Sequence, residues 1–157
     1  MSALAHRSPF VVRPHRRVGR KRPLTIIPSH MGTIHKQQQA SDGTWDYDTV
    51  QPHKYEGGAA PGAIRRILIG QDEGEQNHIV RYFTIPPGGH SAHESHAHPH
   101  SVVITQGGGT VLLGDTVHTL GVGDAVFVQP NEVHQFRAKA DQPLGFICII
   151  ANPNKSH

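Results

Sequence analysis

The sequence predicts an all-β fold, a single small barrel preceded by an extended N-terminal arm. Three observations carry that expectation. The 157 residues suffice for one domain with a real core and are too few for two. Turn formers are abundant, with 17 Gly and 12 Pro, while hydrophobic residues make up only 36% of the chain. From residue 63 onward, short β-prone runs alternate with turn signals at close, regular spacing, the pattern of a sandwich or barrel.

Residues 1–41 form the expected arm. They lack a clean period, are punctuated by Pro9, Pro14, Pro23 and Pro28, and carry the polar run Gln37-Gln38-Gln39. Two short apolar segments, Phe10–Val12 and Leu24–Ile27, interrupt them. The barrel domain is expected over 42–157, with its core over about 63–151. Residues 42–62 hold Trp45, Tyr47 and Tyr55 and end in a Gly- and Ala-rich loop, so the aromatics either line a pocket or pin the segment to the barrel. The expected strands are Arg65–Ile69, His78–Ile85, His96–Thr105, Thr110–Leu113, Val117–Leu120, Ala125–Val128, His134–Ala138 and Leu144–Ile150. Gly107-Gly108-Gly109 reads as a turn, and Gly114-Asp115 as a two-residue hairpin.

Composition excludes several classes. Cys148 is the single cysteine, so there is no intramolecular disulfide framework and no cysteine-based zinc finger. No run approaches the roughly 20 apolar residues that span a bilayer. Arg16-Arg17 has the form of a twin-arginine pair, but the mixed segment after it is not an export signal. A cytoplasmic protein without a membrane partner is expected. Residues 1–41 hold eight Lys/Arg and no acid, whereas 42–157 hold seven basic and twelve acidic residues. No nucleic-acid motif accompanies the basic arm, so it reads as a solvated or partner-docked tail and nucleic acid is not an expected partner.

The chemistry is concentrated in Gly88-Gly89-His90-Ser91-Ala92-His93-Glu94-Ser95-His96-Ala97-His98-Pro99-His100, in a chain with 14 His. On a strand, Glu94, His96, His98 and His100 share one face. One carboxylate and three imidazoles on a buried face call for a cation, which neutralises the acid and uses the ring lone pairs. Cys148, in the run Phe146–Ile150, reads as a buried small hydrophobe. Phe136 shares the parity of His134, and Arg81 or Tyr82 could reach into the barrel.

These motifs resemble those of the cupin superfamily. From Gly88, five residues lead to Glu94-Ser95-His96, three more to His100 and six more to Gly107. From Gly123, five residues lead to Gln129-Pro130-Asn131, two more to His134 and three more to Ala138. Both sets follow the two family motifs in spacing. In the family the position of Glu94 is usually His and that of His100 usually Glu, so the two types have traded places. Gln129, Asn131 and Ala138 also depart from the usual Pro, Gly and Asn. The resemblance implies a double-stranded β-helix, or jelly-roll, barrel. It implies one divalent transition metal (Fe, Mn, Ni or Zn) on Glu94, His96, His100 and His134. A second register, in which His98 replaces Glu94 or His100, stays open. His90 and His93 are expected at the rim.

The resemblance further implies a metal-dependent dioxygenase acting on a small organic substrate, with Glu94 as its catalytic group. Metal-dependent isomerisation or decarboxylation on the same scaffold is the alternative, as is a non-catalytic, metal-dependent small-ligand-binding protein. A homodimer is the expected assembly.

Overall fold

The computed structural model describes residues 32–54, 60 and 62–155. Tyr55, Phe10–Val12 and Leu24–Ile27 lie outside them. Among the described residues the regular structure is β, with one 3-10 turn at Gln71–Glu73. The strands are β1 (Gln38–Gln39), β2 (Trp45–Asp46), β3 (Pro52–Lys54), β4 (Ile64–Ile69) and β5 (His78–Ile85). They continue with β6 (His100–Leu113), β7 (Thr116–Gly121), β8 (Ala125–Val128), β9 (His134–Ala138) and β10 (Leu144–Ala151). Neighbouring strands run antiparallel, in the order β3-β4-β5-β10-β6-β7, with β8 and β9 also on β6. The fold is the all-β barrel that the sequence predicts.

The barrel closes on β6. Its first part pairs with β10 and β8, and its second part, from Gly108 to Leu113, pairs with β7 and β9. One strand thereby belongs to both sheets. The sequence reads the three glycines between the two parts as a turn separating two strands. They lie instead inside a single 14-residue strand. Gly107 takes φ of 67°, and the register against β10 slips beside it, between Gly145 and Phe146. A Cβ on Gly107 would overlap the Pro143 carbonyl, and one on Gly109 the Arg137 carbonyl. The glycines therefore serve a bulge and a close backbone approach rather than a reversal. Gly114-Asp115 does form the expected hairpin, with Leu113 opposite Thr116.

Alternation along the strands fills the interior. Phe83, Val102, Ile104, Val111, Phe136, Leu144, Phe146 and Cys148 are buried in one cluster. Phe146 stacks on Phe83 and on Phe136, with centroids 5.0 and 4.7 Å apart. Burying each such ring is worth about 1.5–3 kcal/mol.

The outer side of β5 is covered by the β1–β2 hairpin, which joins residues on either side of the expected 41/42 boundary. Tyr82 donates its hydroxyl to the Trp45 carbonyl at 3.2 Å and accepts from Gln37 Nε2 at 3.0 Å. Tyr47 meets the Tyr82 ring edge to face at 5.1 Å. Arg66 grips Asp46 through Nε and Nη2 at 2.7 and 2.6 Å. Trp45 and Tyr47 thus pin the segment to the barrel, and of Arg81 and Tyr82 only Arg81 turns inward.

The crossing at Gly109 has a stability signature. Gly109→Ala should destabilise the protein by about 3 kcal/mol, the upper range for overpacking, because the obstacle is backbone. At Gly43 a Cβ would meet nothing within 4 Å, though its φ is 83°, so Gly43→Asn should cost far less. Chemical denaturation of the two variants checks the contrast.

Candidate metal centre

Two distant parts of the chain are brought together by backbone pairing. The segment from Gly88 to His96 runs antiparallel beside β9. Gly88 N–H donates to the Lys139 carbonyl, Ala138 N–H to Gly89, Ser91 N–H to Phe136 and Asn131 N–H to His96, all between 2.8 and 3.0 Å. At its centre Glu94 and His134 exchange both bonds, at 3.2 and 2.9 Å. Ser91 and Gln135 brace this pairing: Phe136 N–H donates to Ser91 Oγ at 2.9 Å, and Gln135 Nε2 to the Ser91 carbonyl at 3.0 Å.

The segment is not the regular strand that the alternation of Glu94, His96, His98 and His100 predicts. The chain bends at Ala97-His98, and the strand begins at His100. Pro99 lacks the N–H that a continuous ladder needs. The bend stacks the rings: His98 lies parallel to His96 at 3.8 Å and over His100 at 5.2 Å.

Three of the four expected ligands converge. The donor atoms of His96, His100 and His134 lie within 4.8 Å of one another. Bonds of about 2.1 Å to one ion allow donor pairs up to about 4.2 Å, so a small inward rotation closes the set. His134 Nδ1 sits 2.9 Å from the Glu132 carbonyl and His96 Nδ1 3.0 Å from the His98 carbonyl. A carbonyl only accepts, so each Nδ1 carries the proton and each Nε2 presents its lone pair. His100 Nε2 and His134 Nε2 are buried without any hydrogen-bond partner. The space beside them, partly open past Glu94, is about 10 Å³, room for one ion or one water. Its floor is Phe83, Phe136 and Phe146. The donor chemistry, the orphaned nitrogens and the size of the space fit a divalent transition ion.

Glu94 stands at the edge of this set. Its Oε1 is 3.9 Å from His134 Nε2, and its side chain is 40% exposed. His93 is exposed, and His90 hydrogen-bonds locally to the Ser91 carbonyl; neither joins the cluster. Cys148 is buried, as its apolar run suggests, but it also lines the space next to His100 and His134. Arg81, opposite it on β5, donates from Nη2 to Cys148 Sγ at 2.9 Å. A uniformly apolar run hides its own inward parity, so only the register against β5 reveals this.

Burial, helped by the charge of Arg81 and by the other imidazoles, lowers the His100 pKa to about 3. Burial also lowers that of His98, with His96 and Arg81 adding to it. Burial pushes the Cys148 thiol up against the opposing pull of Arg81. His100 is therefore neutral at physiological pH and free to ligate.

Comparison with known proteins gives one consistent neighbourhood. The family model for the cupin domain matches residues 81–150. A Rhodospirillum rubrum protein named 1-methylthio-D-xylulose 5-phosphate methylsulfurylase is 36% identical over 106 residues, 68% of this chain and 67% of that one. The crystal structure of a cupin-2 domain protein from Rhodospirillum rubrum matches at 31% identity and a TM-score of 0.64, over 77% of this chain and 80% of the other. A cupin 2 conserved barrel domain protein from Rhodopseudomonas palustris matches at 34% identity and a TM-score of 0.62, over 78% and 83%.

Two outcomes are expected. His100→Ala should lower metal affinity at least tenfold more than His98→Ala, since only His100 of the two belongs to the converging set and offers a buried unpartnered nitrogen; equal losses in metal titrations would favour the other register. The second concerns acid. An unfolded histidine titrates near 6.5, and folded His100 at about 3. Between these values the unfolded chain binds the extra proton, so stability held above pH 6.5 is lost as pH falls toward 3. Thermal melts of chelator-treated protein should fall through that range, and His100→Gln should flatten the fall.

Proposed function

The chain belongs to the cupin superfamily, and on that premise we propose a metal-dependent enzyme acting on a small oxygenated molecule with an acidic C–H beside a carbonyl. One observation carries the reading: His100 Nε2 and His134 Nε2 are buried, unpartnered and beside one ion-sized space. In this reading His96, His100 and His134 hold one divalent ion, Fe, Mn, Ni or Zn, and Glu94 completes the set or works beside it. A bound ion of this kind supplies Lewis-acid polarisation of a carbonyl oxygen.

The side chains divide the remaining work. Phe83, Phe136 and Phe146 close the space from below and keep water out. Substrate would approach from the side where Glu94, His96 and His98 are partly exposed. Glu94, partly exposed, is placed to take a proton from the carbon next to the carbonyl. The name of the Rhodospirillum rubrum relative supports this substrate class: 1-methylthio-D-xylulose 5-phosphate is a ketose whose sulfur-bearing carbon adjoins the carbonyl. Isomerisation at that position removes a proton from the carbon beside the carbonyl and returns it to the neighbouring carbon or oxygen, so it needs no oxidant.

A dioxygenase is the second reading. What favours it is donor count: three imidazoles and Glu94 leave two sites on a six-coordinate ion, enough for substrate and dioxygen. A homodimer belongs to the same proposal. Its support is the outer face of the sheet, where Phe127, Val103 and Ile149 are exposed on the adjoining strands β8, β6 and β10. A cytoplasmic location is proposed from the single unpaired cysteine. Among the described residues no helix is long and apolar enough to cross a membrane.

The test loads the chelated protein with each of the four metals and assays α-substituted ketones and ketose phosphates in air and under nitrogen. Substrate loss should require metal and proceed equally in both. Glu94→Gln should lower kcat about 100-fold or more, the lower range for general base catalysis. Oxygen uptake matching substrate loss would assign the dioxygenase instead.

A further inference from the structure

We propose that Arg81 is the oxyanion-binding residue of the site and that the substrate carries its negative charge where that guanidinium can receive it. This rests on the metal-enzyme reading and narrows its substrate to an anion, through a carboxylate, a phosphate or a developing enolate oxygen.

Arg66 and Arg81 are 7% and 8% exposed. Arg66 is neutralised by Asp46, held through two nitrogens. Arg81 enters none of the ion pairs among the described residues. Its Nε is buried with no hydrogen-bond partner, and its Nη2 donates to a thiol. An arginine cannot shed its charge in a protein, and an uncompensated buried charge costs several kcal/mol. The fold thus compensates one buried guanidinium and leaves the other waiting for an anion from outside.

Its placement says where that anion goes. Arg81 stands opposite Cys148 in the register of β5 and β10, with its guanidinium carbon 5.3 Å from the centre of the Phe83 ring. Cys148 and Phe83 both line the space shared by His100 and His134. With a divalent ion on the imidazoles, the cationic groups here outweigh the single carboxylate of Glu94. Such a site selects an anion and stabilises negative charge as it forms on oxygen. The competing assignment is that Arg81 serves only the Cys148 thiol. A thiol sulfur is only a weak acceptor, and Nε remains unserved in that arrangement.

The experiment is calorimetric titration with oxalate, an anion, and hydroxyacetone, a neutral molecule with similar metal-binding oxygens. Wild type, Arg81→Gln, Arg81→Lys and Cys148→Ser are titrated in manganese-loaded and metal-free form. Arg81→Gln should weaken oxalate at least tenfold while changing hydroxyacetone less than twofold, and Arg81→Lys should recover part of the loss. Unchanged oxalate affinity, or equal weakening of both probes, would overturn the proposal. So would an equal loss in Cys148→Ser, which would assign the guanidinium to the thiol. If no variant holds manganese, the metal reading fails separately, and the metal-free arm decides: oxalate binding lost with Arg81→Gln supports the anion site, and indifference to the substitution overturns it.

Discussion

His100 Nε2 and His134 Nε2 lie inside the barrel with nothing to bond to, and a buried polar group in that state costs about 1–3 kcal/mol. The surrounding structure holds them there rather than relieving them. The Glu132 carbonyl fixes the His134 ring by its other nitrogen, and β6 carries His100 inward at its first residue. The antiparallel run from Gly88 to His96 brings Glu94 and His96 against β9. These elements come from separate stretches of the domain, and the glycine crossing in β6 lets one strand serve both sheets. A divalent ion would resolve the conflict by taking the lone pairs that no protein donor reaches.

The same constraint shapes what surrounds the site. The stacked phenylalanines line one side of the ion-sized space, while Glu94 at its edge and the neighbouring His96 and His98 are partly exposed. Below the rim the lining is largely apolar, which strengthens any charge interaction made there. An arginine that would count for little on the surface would weigh more in such surroundings. The hairpin over Tyr82 works elsewhere. It covers the outer side of β5, whose inner side carries Arg81 and Phe83.

Much of this was legible in the sequence because it depends on spacing. His134, His100 and the flanking turns follow motif distances that survive substitution, and strands such as His78–Ile85 and Ala125–Val128 show their apolar character locally. Other features depend on contacts no local pattern encodes. Alternation placed Glu94 through His100 on one strand face, but Pro99 and the bend at Ala97-His98 replace parity with ring stacking. Gly107–Gly109 looks like a turn by composition, while its reason is two remote carbonyls, those of Pro143 and Arg137. Cys148 and Arg81 face the site through strand register, which a uniformly apolar run conceals.

The site depends on whether His96, His100 and His134 hold an ion. The most direct measurement is elemental analysis of protein purified without chelators, paired with its melting temperature before and after metal removal. The account predicts close to one first-row transition metal per chain and a clear fall in melting temperature on removal, because the two buried nitrogens lose their partner. A wild-type protein that is metal-free as purified, and melts at the same temperature with saturating metal as without it, would contradict the account.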